Sequence, residues 1–187
     1  SGYFNERNLD MAKRMFLQMK ESQVKPDVVT YNIMVNGYGK RGMTTEALDA
    51  FCHMKNNNLE PNIKTYTSLI ELFGKTGNCM RSISLFKQMQ DRNIEPDTRV
   101  YSTLIDTLAK NGYSKVAFKM FQNMQSQNIE PNAGIYNALI DVFGKQGKMK
   151  RCLMLFREMK EKKFEITIET LITLVDMLGK NNQAKRA

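Results

Sequence analysis

Residues 73–77 read FGKTG, and variants of those five letters return along the chain. YGKRG stands at 38–42, LAKNG at 108–112, FGKQG at 143–147 and LGKNN at 178–182. The lysines (Lys40, Lys75, Lys110, Lys145 and Lys180) follow one another at intervals of 35 residues. Taken alone, Gly74-Lys75-Thr76 has the lettering of a phosphate-binding loop. Such a loop needs another glycine five positions ahead of the Gly-Lys pair, on a strand-to-helix turn. Leu69 stands there instead, inside KTYTSLIELF, whose spacing is helical. A fixed period of this size marks an array of repeated helical or mixed units.

Counting from Val28, complete units span 28–62, 63–97, 98–132 and 133–167. Residues 1–27 form the later part of a preceding unit, and 168–187 the first half of a following one. Pro26, Pro61, Pro96 and Pro131 are each the penultimate residue of a unit, and Ile166 takes that place in the next. Each unit holds two amphipathic segments. In the first, apolar residues recur at i, i+3, i+4 and i+7, as in Tyr31, Met34, Val35, Tyr38 and Tyr66, Leu69, Ile70, Phe73. That is one face of an α-helix. In the second, a small residue (Ala12, Ala47, Ser82, Ala117, Cys152) leads Phe and Met at the same spacing, which predicts a close helix–helix approach. Gly42, Gly77, Gly112 and Gly147 follow the first helix, where a left-handed residue closes it. The proline of the NNNLEPN-type turn cannot continue the second helix. The expected fold is therefore all-α, an α-solenoid of helix–turn–helix repeats over residues 1–187.

The chain has 187 residues, with 42% hydrophobic and 25% charged, as in an ordinary folded protein. Its net charge of +9, from 28 basic and 19 acidic residues, favours an anionic partner, nucleic acid before membrane. No apolar run approaches the ~20 residues that span a bilayer, so no membrane partner is expected. Cys52, Cys79 and Cys152 are isolated, odd in number and form no CxxC, which points to a reducing compartment. The single His53 has no partner at metal spacing. No metal, cofactor or enzymatic activity is expected.

The 35-residue period, the openings TYN, TYT, VYS and IYN, the GK.G turns and the EPN or EPD endings together resemble the pentatricopeptide repeat family. VVTYNIMVNGYGKRGMTTEALDAFCHMKNNNLEPN matches the family pattern nearly end to end, and the resemblance covers essentially the whole chain. The tetratricopeptide repeat, a 34-residue protein-binding hairpin, fits less well: the basic positions here keep a period of 35 and no Trp-x-x-Leu-Gly occurs.

The resemblance implies that the solenoid is right-handed. It also implies binding of single-stranded RNA along a groove lined by the first helices, with the fifth and last residues of each unit reading one base. Those pairs are Asn32 with Asn62, Thr67 with Asp97, Ser102 with Asn132, and Asn137 with Thr167. Aspartate only accepts, suiting guanine or uracil, whereas asparagine donates and accepts, suiting adenine or cytosine. In the family a small hydroxyl at the fifth position goes with purines and asparagine with pyrimidines. The implied target is 5′-(C/U)-G-A-(C/U)-3′. Asn62, Asp97 and Asn132 also stand where a helix N-cap would. The second residue of each unit is expected to lie against the bases: Val29, Lys64 and Arg99 suit this, whereas Gly134 and Glu169 do not. Ile172, fifth in the last half-unit, cannot hydrogen-bond a base edge.

The lysine ladder is expected to meet phosphates, one per nucleotide. Each lysine also suits the C-terminus of its own helix. Glu71, Asp106 and Asp141, four residues earlier, are placed to pair with Lys75, Lys110 and Lys145. The family acts in organellar RNA processing, stability, splicing, editing or translation, so a mitochondrion or chloroplast is implied. The alternative is a protein-binding helical scaffold, for example in a mitochondrial ribosome, with protein partners or self-association through the end repeats. The chain begins inside a first helix and without Met, which reads as a piece of a longer array.

Overall fold

The computed structural model describes residues 21–184 without a break, together with Met11, Arg14, Phe16, Gln18 and Met19, and side chains as far as Gly179. Most of the partial unit 1–27, including Ala12, and the side chain of Lys180 lie outside the described residues. Among the described residues, nine helices and no strand follow Val28: α1 (Val28–Lys40), α2 (Thr44–Asn56), α3 (Ile63–Lys75), α4 (Cys79–Asp91), α5 (Thr98–Lys110), α6 (Ser114–Ser126), α7 (Ala133–Lys145), α8 (Met149–Glu161) and α9 (Ile168–Ala184). The chain forms two compact units, Ser1–Pro96 and Asp97–Ala187.

In the first unit α1 and α2 form one hairpin and α3 and α4 the next; α1 lies along α3, and α2 touches α3. The second unit repeats this with α5–α6 and α7–α8, and α9 lies along α7. Within each unit the first helices therefore stand side by side. Helices α2, α6 and α8 each pack on their own first helix and on the next one, and α4 packs on α3. One hairpin leaves an apolar face that only a neighbour can bury, so the hairpins stack in solenoid fashion.

The core follows the predicted stripe. Tyr66, Leu69, Ile70 and Phe73 of α3, and Tyr136, Leu139, Ile140 and Phe143 of α7, are fully or almost fully buried. Fully burying a tyrosine requires a partner for its hydroxyl. Tyr66 donates to Gln88 Oε1 at 3.3 Å, Tyr101 to Asn123 Oδ1 at 2.6 Å, and Tyr136 to Glu158 Oε1 at 2.7 Å. The Tyr136 hydroxyl is held protonated far above its usual range by burial and by the Glu158 carboxylate. The small positions mark close helix contact. Ala47 and Ala117 are sealed, Ser82 Oγ donates to the Ile70 carbonyl at 3.1 Å, and Cys152 Sγ to the Ile140 carbonyl at 3.4 Å.

Gly42, Gly77, Gly112 and Gly147 close the first helices at φ of 70°, 76°, 81° and 68°. The second helices stop differently from the expectation. The sequence reading credits the stop to proline, yet Asn58, Asn93 and Asn128 take φ of 56°, 57° and 57° well before Pro61, Pro96 and Pro131. The backbone N–H of Leu59 then donates to the Met54 carbonyl at 3.1 Å, as in a Schellman turn. Helix α8 stops in the same way where Ile166 replaces the proline, with Lys163 at φ 57°. The left-handed residue is therefore sufficient, and the proline is not required.

Candidate nucleic-acid interface

The last residue of each repeat caps the next first helix. Asn62 Oδ1 accepts from the N–H of Lys64 at 3.1 Å and of Thr65 at 3.2 Å. Asp97 Oδ1 accepts from Val100 N–H at 2.9 Å, Asn132 Oδ1 from Ile135 N–H at 3.1 Å, and Thr167 Oγ1 from Thr170 N–H at 3.3 Å. Asp27 caps α1 in the same way at 2.8 Å, and the Thr30 N–H and hydroxyl hold its carboxyl below its ordinary range.

Capping commits half of each polar head and so defines the other half. A backbone N–H needs an acceptor, so a capping asparagine must turn its oxygen inward and its NH₂ away. The sequence reading gave asparagine both a donor and an acceptor for a base. In the cap, Asn62 and Asn132 instead offer N–H donors, whereas Asp97 at the equivalent place offers a second carboxylate oxygen. Asp97, Asn132 and Thr167 are exposed and Asn62 is half-buried.

The fifth residues lie one turn into the first helices. Asn32, Ser102 and Asn137 are half-buried, and Thr67 is 8% exposed. The Thr67 hydroxyl donates back to the Ile63 carbonyl at 2.7 Å, which commits its proton and leaves it an acceptor only.

The pairing of fifth and last residues differs from repeat to repeat. Asn32 Nδ2 donates directly to Asn62 Oδ1 at 3.2 Å. Asn137 and Thr167 are joined through Thr170, whose hydroxyl lies 2.8 Å from Asn137 Oδ1 and 2.9 Å from Thr167 Oγ1. Ser102 on α5 and the Asn132 cap of α7 belong to helices that lie side by side, with no hydrogen bond between the two residues. Thr67 and Asp97 fall one in each unit.

Two polar residues in this row were missed by the sequence reading. Thr65 Oγ1 donates to Asn32 Oδ1 and accepts from the Asn62 N–H at 3.1 Å, and Thr170 makes the bond to Asn137. The available signal was a threonine at the third position of the unit that follows each fifth-position asparagine.

Of the second residues, Val29 is 62% exposed, and Lys64, Arg99, Gly134 and Glu169 are also exposed at the starts of their helices. Lys75, Lys110 and Lys145 pair with Glu71, Asp106 and Asp141 at 2.6, 2.7 and 2.7 Å. All three pairs face solvent, so each contributes only a few tenths of a kcal/mol. Lys40 is exposed, and Asn36 stands four residues ahead of it in place of an acid.

Family models agree with this periodic architecture. The PPR repeat family matches residues 1–40, 26–75 and 131–180, the pentatricopeptide repeat domain matches 84–146, and a further PPR repeat matches 64–94. Among solved structures, the pentatricopeptide repeat protein PPR10 in complex with an 18-nt psaJ RNA element aligns with a TM-score of 0.76 and 24% identity, over 91% of this chain and 25% of that one. PPR10 from maize aligns with a TM-score of 0.68 and 28% identity, over 94% and 26% of the two chains. The PPR domain of Arabidopsis thaliana protein-only RNase P 1 in complex with tRNA aligns with a TM-score of 0.82 and 16% identity, over 92% and 91%. The chain thus spans about a quarter of the length of the PPR10 chains. A search of curated protein sequences gave no match. With the PPR repeat model alone matching well over half of its residues, the chain belongs to the pentatricopeptide repeat family.

Proposed function

We propose that this chain binds single-stranded RNA, one nucleotide per repeat, with the preference 5′-(C/U)-G-A-(C/U)-3′. The observation that carries this reading is the set of capping residues, each holding the start of a first helix with one side-chain oxygen, while Asp97, Asn132 and Thr167 remain exposed. PPR10 was solved with an RNA element and protein-only RNase P 1 with tRNA, and the same partner class is proposed here.

The hydrogen-bond inventory gives each base its reason. Asp97 and Thr67 both present acceptors, and guanine offers N–H groups along its Watson–Crick edge. Asn132 presents donors, which suit the bare ring nitrogen of adenine. Asn62 presents donors as well, which favours cytosine over uracil in the first pyrimidine position. Val29, Lys64 and Arg99 lie against the bases through their stems, and the lysine ladder meets phosphates once RNA competes with the acidic partners. The role is binding without catalysis. An organellar setting, mitochondrion or chloroplast, belongs to the same proposal and rests on the family.

The scaffold reading draws on Ile172 and Gly134, and in the structure Ile172 stands among exposed apolar residues on α9. Leu171, Val175 and Leu178, however, occupy the positions of Tyr136, Ile140 and Phe143, the stripe that joins the core in the complete repeat. Their exposure therefore favours no particular protein partner.

The test is binding of a labelled RNA containing CGAU against one containing CAGU, across a salt series. Preference for CGAU that moves to CAAU on Asp97→Asn supports base reading. Equal affinity for both RNAs, falling steeply with salt, reduces the protein to an electrostatic binder.

A further inference from the structure

We propose that the third residue of each following repeat positions the fifth residue before it, and so sets how sharply a fifth-position asparagine discriminates pyrimidine from purine. This rests on the base reading proposed above and names residues outside the fifth and last positions.

The geometry is clearest at the first complete repeat. Two backbone N–H groups at the start of α3 hold Asn62 Oδ1 as an acceptor. Because that oxygen also faces Asn32, the group Asn32 turns towards it must be Nδ2, at 3.2 Å. The other end of the Asn32 carboxamide is then its oxygen, and that oxygen meets the Thr65 hydroxyl as donor. Thr65 is fully buried and accepts from the Asn62 N–H at 3.1 Å; of the two acceptors its one proton can reach, the Asn32 oxygen is the nearer and Asn62 Oδ1 lies farther, at 3.3 Å. Backbone amides thus fix the sense of the whole chain of bonds, and Asn32 has one orientation.

The second case shows the same contact with a weaker anchor. Thr170, 4% exposed, donates to Asn137 Oδ1 at 2.8 Å. Its neighbour at the cap is Thr167, whose hydroxyl can donate or accept, so the sense of this second chain is not fixed from the backbone.

The remaining repeats supply the contrast. The fifth residues run Asn32, Thr67, Ser102, Asn137, and the third residues of the units after them run Thr65, Val100, Ile135, Thr170. A hydroxyl follows each asparagine and an apolar β-branched residue follows each threonine or serine. Val100 and Ile135 are buried at 0% and 1%, like Thr65 at 0%. Valine nearly matches threonine in shape, so packing alone has no need of the hydroxyl, and burying one without a partner is costly. Thr67 bonds its own helix instead and needs no such donor.

The experiment measures binding of the full chain to RNAs that differ only at the first or only at the third nucleotide. Thr65→Val should lower pyrimidine-over-purine preference at the first nucleotide by about three- to tenfold, the worth of one hydrogen bond. Thr65→Ser should restore it, and preference at the third nucleotide should stay unchanged in both. In a complementary pair, Ser102→Asn with Ile135→Thr should prefer pyrimidine at the third nucleotide more strongly than Ser102→Asn alone. That arm decides the matter if Thr65→Val fails to fold. Unchanged first-nucleotide preference in Thr65→Val, an equal loss for every RNA, or no gain from Ile135→Thr would overturn the proposal while leaving base reading intact. A wild-type chain indifferent to its first nucleotide would overturn base reading itself, and this proposal with it.

Discussion

At the start of α5, one oxygen of Asp97 takes the Val100 N–H and the other is left for a partner; at the start of α7, Asn132 takes the Ile135 N–H with its oxygen and is left with its NH₂. Exchanging the two residue types changes what faces outward and leaves the cap in place. Asp97→Asn should therefore unfold within about 0.5 kcal/mol of wild type, whereas Asp97→Ala should lose about 1 kcal/mol. The same two variants should separate in RNA binding: the first changes its preferred base at the second nucleotide, and the second loses preference there. Thermal denaturation beside competition binding checks both. The sequence alone places these residues, because period and register are written in the letters. It does not show which half of an amide is committed, because that depends on the backbone N–H groups that only the folded helix turns towards it. Thr65 and Thr170 escaped for a related reason: in the sequence they are ordinary β-branched residues, and their hydroxyls acquire a role only when α1 meets α3 and α7 meets α9.

The hairpin elements owe their ends to left-handed residues more than to prolines. Asn58, Asn93 and Asn128 take that conformation, and asparagine tolerates it; Lys163 takes it with a longer side chain, to which the left-handed region is less favourable. Lys163→Asn should stabilise the protein by about 0.5–1 kcal/mol, seen as a higher urea midpoint at unchanged slope. The prolines were visible in the sequence and the conformation of Asn58 was not, since asparagine is equally at home in caps, turns and solvent. Packing between elements also hid one constraint. A methyl group at Gly144 would run into the Thr173 side chain, so α7 and α9 approach too closely there for a larger residue. Gly144 reads in the sequence as part of the Gly-Lys pattern, with no sign of that neighbour.

For the molecule as a whole, charge and protonation set the working conditions. The net charge of +9 is partly masked where Glu71, Asp106 and Asp141 hold three of the ladder lysines. Replacing those three acids with their amides should tighten RNA binding roughly fivefold at low salt and steepen its salt dependence. The stability change should stay below about 1 kcal/mol, because exposed pairs contribute little. A salt titration of affinity, with a melting curve at each point, tests both parts. In the alkaline range, burial pushes the Cys152 thiol from its ordinary 9.0 up to about 11 and raises Tyr101 as well. The folded chain then keeps protons that the unfolded chain releases, so this contribution to stability is full below pH 9 and is lost as pH rises through about 11. Melting temperatures at pH 7, 9 and 10.5 should be level at first and then fall.

The dual use of the capping residues has a consequence for inheritance. Most residues that recognise a ligand are free to vary only at some risk to folding, and most that support folding are unsuited to recognition. Here aspartate, asparagine and threonine all cap a helix, and under the proposed base reading each would show different chemistry to a partner. A lineage can therefore substitute one for another, one repeat at a time, and drift to a new target along a path on which every intermediate still folds.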